Sequence, residues 1–184
     1  MYVGITGTTA AGKGEIVKIL RQFGFKHYSF SEALRDMAVK QGLAASRYEL
    51  TRVQVTKFAN EQRTVHGPGF VAEFLLHQCQ EEAPKNAVFE SIRSKAELAT
   101  LKRLPGFVLI SVDAPRSVRF ERLMQRGKEG ISTFEEFCAW DDSQLEGGEN
   151  EQHILAVMDH ADVSLVNVGE LSELEEQLRE ALNI

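Results

Sequence analysis

The residues Gly7, Thr8, Thr9, Ala10, Ala11, Gly12, Lys13 and Gly14 carry the spacing of a loop that wraps a phosphate. They follow an apolar run at residues 2–6 and open a segment in which Ile16, Val17, Ile19 and Leu20 recur with helical spacing. Glycines let such a loop curl until successive backbone N–H groups face one anion. The helix N-terminus adds partial positive charge, and Lys13 reaches the outer phosphates. The spacing therefore predicts a site for a nucleoside triphosphate, expected as ATP with Mg²⁺. The hydroxyl that ordinarily follows the lysine and helps hold Mg²⁺ is missing, since Gly14 stands there. Glu15, next in line, is either a contributor through water or a solvated carboxylate favoured in the first turn of a helix.

Two further groups of residues have chemistry in reach. Glu90-Ser91-Ile92-Arg93 closes an apolar run, where strand ends in an open α/β sheet face a ligand. Glu90 would order metal-bound water near the phosphates, and Arg93 would bind the acceptor or the transferred phosphoryl group. A surface ion pair is the plain alternative. Arg119, Arg122 and Arg126 recur at three and four residues and so share one helical face. Like charges stacked in this way repel, and charge developing on a transferring phosphoryl group would relieve the repulsion. Neutralisation by Glu121 and Glu129 would make the same face purely structural.

The elements that must hold these residues follow from periodicity. Short apolar runs at 2–6, 26–30, 87–90, 107–112 and 163–167 read as strands. Between them, 12–23, 31–41, 47–65, 69–80, 95–104, 116–126 and 171–182 read as helices, with Ser31, Pro68 and Pro115 marking starts. Alternation of strands and helices predicts an α/β fold: a three-layer, doubly wound, parallel five-stranded sheet in one domain over 1–184. Residues 127–150, rich in Gly, Glu and Asp around a helical stretch at 133–145, read as a lid inserted on that core, or as a surface helix between two loops. Trp140 in this stretch is expected to pack rather than to stack on a base.

Composition narrows the partners. Apolar residues make up 43% and charged residues 26%, the proportions of a soluble globular chain. With 21 Lys and Arg against 27 Asp and Glu the net charge is -6, which argues against a nucleic-acid coat. Cys79 and Cys138 have no metal-ligand or redox spacing, so a reducing cytoplasm is expected. No leader pattern or membrane-length apolar run is present, so neither export nor membrane insertion is expected. Composition leaves open whether the chain is a monomer or a homodimer.

The stretch Ser29-Phe30-Ser31-Glu32-Ala33-Leu34-Arg35 resembles the Ser-Thr-Gly-Asp-Leu-Leu-Arg of adenylate kinase and its relatives. The phosphate loop, Glu61 with Arg63 and His66-Gly67-Pro68-Gly69, residues 89–93, 112–126 and 141–145, and Ala161 to Gly169 extend the likeness over nearly the whole chain. Together they resemble a prokaryotic P-loop kinase family related to adenylate kinase and often labelled dephospho-CoA-kinase-like. The resemblance implies a nucleotide-kinase-like P-loop fold, a helical acceptor region near 31–80, a lid near 127–150 and base contacts around Asn167. It also implies that Ser31, Arg35, Arg63, Glu90 and Arg93 meet a small-molecule acceptor. A nucleoside or deoxynucleoside monophosphate is the first expectation and dephospho-CoA the second. There are departures: the family's Asp-Gly-Ile-Arg is Glu90-Ser91-Ile92-Arg93, and two lid arginines are absent from Trp140-Asp141-Asp142-Ser143-Gln144-Leu145. They leave a nucleotide-binding regulator or slow ATPase as the competing expectation.

Overall fold

A computed structural model describes residues 1–127, 131–145 and 153–184. Five strands, β1 (Tyr2–Gly7), β2 (Lys26–Ser29), β3 (Ala87–Glu90), β4 (Phe107–Asp113) and β5 (Val163–Val166), form one parallel sheet in the order β2-β3-β1-β4-β5. Side-chain alternation explains why helices cover both faces. Ala87 and Phe89 of β3 and Leu109 of β4 enter one apolar cluster, while Val88, Ile110 and Val112 enter the other.

The second cluster lies beneath α1 (Lys13–Gln22) and α9 (Leu171–Leu182), which contribute Ile16, Leu20, Leu174 and Leu178. The first lies beneath α2 (Phe30–Lys40), α3 (Arg52–His66), α4 (Phe70–Glu82), α5 (Lys95–Leu101) and α8 (Ile154–Met158). The helices α6 (Arg116–Arg126) and α7 (Phe134–Leu145) pack on each other through Leu123 and Phe137, joined by Phe120 and Trp140. Trp140 packs against Phe137, with ring centroids 6.2 Å apart.

Several boundaries differ from the sequence reading for local reasons. The helix expected to start at Ser31 starts at Phe30, because the Ser29 hydroxyl accepts the Glu32 N–H and caps it. The helix expected from residue 47 starts at Arg52, because Thr51 and Gln54 close a capping box. The five-residue α8, Ile-Leu-Ala-Val-Met, is too short and too uniformly apolar to show a period and was not expected. Of the expected lid at 127–150, residues 128–130 and 146–150 lie outside the described residues. Among the described residues, no helix is long and apolar enough to cross a membrane.

Candidate functional site

The strands all point the same way, so Gly7, Ser29, Glu90, Asp113 and Val166 end on one edge of the sheet. Three positive φ values curl the loop after β1: 139° at Gly7, 61° at Ala10 and 113° at Gly12. A Cβ at Gly7 would come within 2.0 Å of the Val112 carbonyl oxygen, and one at Gly12 within 2.2 Å of the Asn167 amide nitrogen. Only glycine satisfies both the conformation and the approach. The loop runs into the N-terminus of α1, and Lys13 Nζ folds back onto the carbonyls of Gly7 and Thr8 at 2.8 and 2.7 Å.

The loop is buttressed from behind. Thr8 Oγ1 donates to Asp113 Oδ1 at 2.6 Å, and the Asn167 side-chain amide donates to the Ala11 carbonyl at 2.8 Å. Arg122 in turn donates to the backbone and side-chain oxygens of Asn167 at 3.1 and 3.3 Å. Asn167 and Arg122, expected to meet a base and the transferred phosphoryl group respectively, are thus bonded to each other behind the loop.

Arg119 also differs from its expected place. It is 3% exposed and is not part of the cavity wall described below. Its guanidinium holds both oxygens of the fully buried Asp141 at 2.7 Å, and donates to the carbonyls of Ala114 and Thr9 at 2.8 and 3.2 Å. The Phe137 ring lies 5.4 Å below it. Asp141 belongs to α7, so this pair joins the expected lid helix to the phosphate loop; Arg116 adds bonds to Asp141 and Asp142. The arginine face is therefore split, with Arg119 and Arg122 bonded inward and Arg126, exposed, on the cavity wall.

A cavity of about 1070 Å³ opens in front of the loop. One end is formed by Thr9, Ala10, Gly12, Lys13, Gly14 and Glu15, with Glu15 ion-paired to Lys18 at 2.8 Å. The other end lies between α2 and α3. Helical spacing aligns Phe30 with Leu34, Ser31 with Arg35, and Val55, Ala59 and Arg63 in a third row, all facing the cavity. Arg35 donates to the carbonyls of Arg47 and Leu50, pinning the connection between the two helices.

Glu90, Ser91 and Arg93 lie on the same cavity wall. The 90–93 turn is fixed to β1, since Ile5 O accepts the N–H groups of Ser91 and Ile92, and Thr6 Oγ1 donates to Ile92 O at 2.8 Å. Ser91 has φ 75°, a left-handed conformation that suits the glycine of the resembling family. Burial favours the neutral form of Glu90. The His27 hydrogen bond at 3.0 Å, the His27 charge and the cations of Lys13 and Arg93 outweigh it and hold the carboxyl below the usual range.

Arg63, 3% exposed, donates from Nη2 to Glu97 Oε1 and from Nη1 to Asn60 Oδ1, both at 3.0 Å. The other Glu97 oxygen accepts the backbone N–H groups of Arg93 and Ser94 at 2.8 and 3.2 Å. His27, Glu97, Asp113 and Asp141 have no role assigned from the sequence, although Asp141 stands in the lid stretch that carries the resemblance and Glu97 is the fourth residue of the capping box opened by Ser94.

These residues fit a nucleoside triphosphate, through the curled loop and the start of α1. For Mg²⁺, the ionised Glu90 is a suitable water-mediated contact, since this ion commonly takes one or two carboxylates and fills its shell with phosphates and water.

A family model for an AAA domain matches residues 3–141. A "UPF0200 protein" of Sulfurisphaera tokodaii is 30% identical over 181 residues, covering 98% of this chain and 94% of that protein. Among solved structures, TT1252 from Thermus thermophilus covers 100% of this chain and 96% of its own, at 26% identity and TM-score 0.64. Shikimate kinase from Bacteroides thetaiotaomicron (15% identity, 100% and 99% coverage, TM-score 0.65) and dephospho-CoA kinase from Campylobacter jejuni (17%, 99% and 95%, 0.54) share the fold. The sheet, with helices on both faces, is thus of the P-loop kinase kind, and the chain belongs to the AAA-domain family and to the UPF0200 proteins.

Proposed function

We propose that this protein is an ATP-dependent phosphotransferase that passes the γ-phosphoryl group to a small acceptor. The first choice of acceptor is a nucleoside or deoxynucleoside monophosphate, and dephospho-CoA is the alternative. The observation that carries the reading is a single cavity running from the phosphate loop to the α2–α3 compartment, with Glu90, Arg93 and Arg126 on its wall. Hydrolysis of the triphosphate alone would leave the second compartment unused.

The loop and Lys13 bind the triphosphate, and Arg93 and Arg126 offset charge on the group in transfer. Glu90 would hold Mg²⁺ through water, and the ion, when bound, would supply positive charge to the outer phosphates. Seating the acceptor against α2 and α3 excludes water that would otherwise hydrolyse the triphosphate.

Binding with little transfer is the second reading, favoured by the bonding of Arg119 to Asp141 and of Arg122 to Asn167. Coupled ADP release with ATP and Mg²⁺ separates the two, measured against nucleoside and deoxynucleoside monophosphates and dephospho-CoA with an acceptor-free control. An acceptor-dependent rate is expected. A rate equal to the control, from protein that binds ATP, favours the second reading.

A further inference from the structure

The resemblance groups Arg63 with the arginines that grip an acceptor, but its surroundings assign it a different task. The guanidinium is 3% exposed, two of its nitrogens are bonded, and Nε is a buried donor with no hydrogen-bond partner among the described residues. An unmade hydrogen bond at such a depth is costly, so an oxygen or nitrogen brought by a ligand is the natural complement. Arg63 lines the cavity together with Val55 and Ala59 of the same helix and Phe30 and Leu34 of α2, so a ligand whose atom reached Nε would have apolar side chains beside it.

Charge decides what kind of atom that is. Glu97 is 1% exposed and already balances Arg63 at 3.0 Å, and its second oxygen is held by backbone donors. A phosphate or carboxylate against Nε would be stripped of water and set close to the Glu97 carboxylate, a repulsion the matched pair does not offset. A carbonyl oxygen or ring nitrogen accepts the same N–H without adding charge.

We propose that Arg63 is a specificity residue that donates its Nε–H to an uncharged acceptor atom of a planar heterocycle seated on the Phe30, Leu34, Val55 and Ala59 strip. Any phosphate the acceptor carries then lies elsewhere, toward Arg93. This rests on the reading of the α2–α3 compartment as the acceptor site and narrows its occupant to a nucleobase-like ring.

The test uses the full chain with its triphosphate site filled by a non-hydrolysable ATP analogue. Adenosine, guanosine, cytidine and uridine are titrated separately as uncharged rings, and ribose 5-phosphate and inorganic phosphate as ring-free anions, on wild type and Arg63→Lys. Lysine keeps the cation beside Glu97 and removes the Nε donor. At least one nucleoside is expected to bind wild type and to bind the variant roughly tenfold more weakly, with the anions unaffected. Three results overturn the proposal: no nucleoside binding to wild type, equal nucleoside binding to both proteins, or loss confined to the anions.

If Arg63→Lys does not fold, the Arg63 Nε–H resonance of the wild type is followed instead, and a signal unmoved by every nucleoside overturns the proposal. Failure of the analogue itself to bind is a separate signal against the phosphotransferase reading. The nucleoside titrations still stand without the analogue.

Discussion

Gly14 is the position at which this loop departs from its usual chemistry, and the space around it makes the departure testable. A Cβ there meets nothing within 4 Å, although the residue sits in α1 and on the cavity wall. Gly14→Ser therefore adds a hydroxyl where one ordinarily helps hold Mg²⁺, and exchanges a poor helix former for a better one at a gain of about 0.5 kcal/mol. The expected outcome is a slightly higher midpoint in urea and a several-fold lower Mg²⁺ concentration for half-maximal ATP binding, read by calorimetry at fixed ATP. A gain in stability with unchanged Mg²⁺ dependence would mean that the metal is not held at the first turn of α1. At this scale the sequence was legible wherever neighbours in the chain make the site. The phosphate loop is contiguous, so spacing alone reveals it. His27 beside Glu90, Asp113 beside Thr8 and Glu97 beside Arg63 are brought together across strands or helices, and no local pattern signals such pairs.

At the scale of elements, α6 was read to its exact ends, because Pro115 precedes it and its arginines and apolar residues keep one helical period. What the period could not give was the partner of its buried face. Asp141 comes from α7 and closes a buried ion pair with Arg119, and such pairs are expensive to break from one side, at about 3–5 kcal/mol. Arg119→Ala is accordingly expected to lower stability by about that amount in urea unfolding, chiefly by stranding Asp141. Arg119→Met combined with Asp141→Leu should recover part of the loss, because neither charge is then left alone. If Arg119→Ala keeps wild-type stability and loses turnover, the guanidinium serves the transferred phosphoryl group after all, as the spacing of the three arginines implied. The same reasoning explains the start of α3. Thr51 and Gln54 form a local cap signal, which outweighs the helical periodicity that ran on from residue 47.

For the whole molecule, the parallel sheet makes the site possible. Five strands ending on one edge bring the phosphate loop, Glu90 and Asp113 together from β1, β3 and β4, while helices on both faces shield the sheet from water. That arrangement follows from alternating strand and helix patterns, which is why the fold class was readable when the tertiary partners were not. It also ties ligand binding to global stability, because the proposed triphosphate site forms only when β1, α1 and the Asn167 buttress are assembled. A ligand that binds only the folded chain stabilises it by about 2.7 kcal/mol at one hundred times its dissociation constant. ATP with Mg²⁺ should therefore raise the urea midpoint of the wild type with little change in slope. Lys13→Ala should abolish most of that shift, while the bonds to Gly7 and Thr8 that it also removes are worth roughly 1 kcal/mol each to the ligand-free protein. An equal ATP shift in both proteins would place the triphosphate away from the loop. The cavity would then have to be read from its α2–α3 end alone.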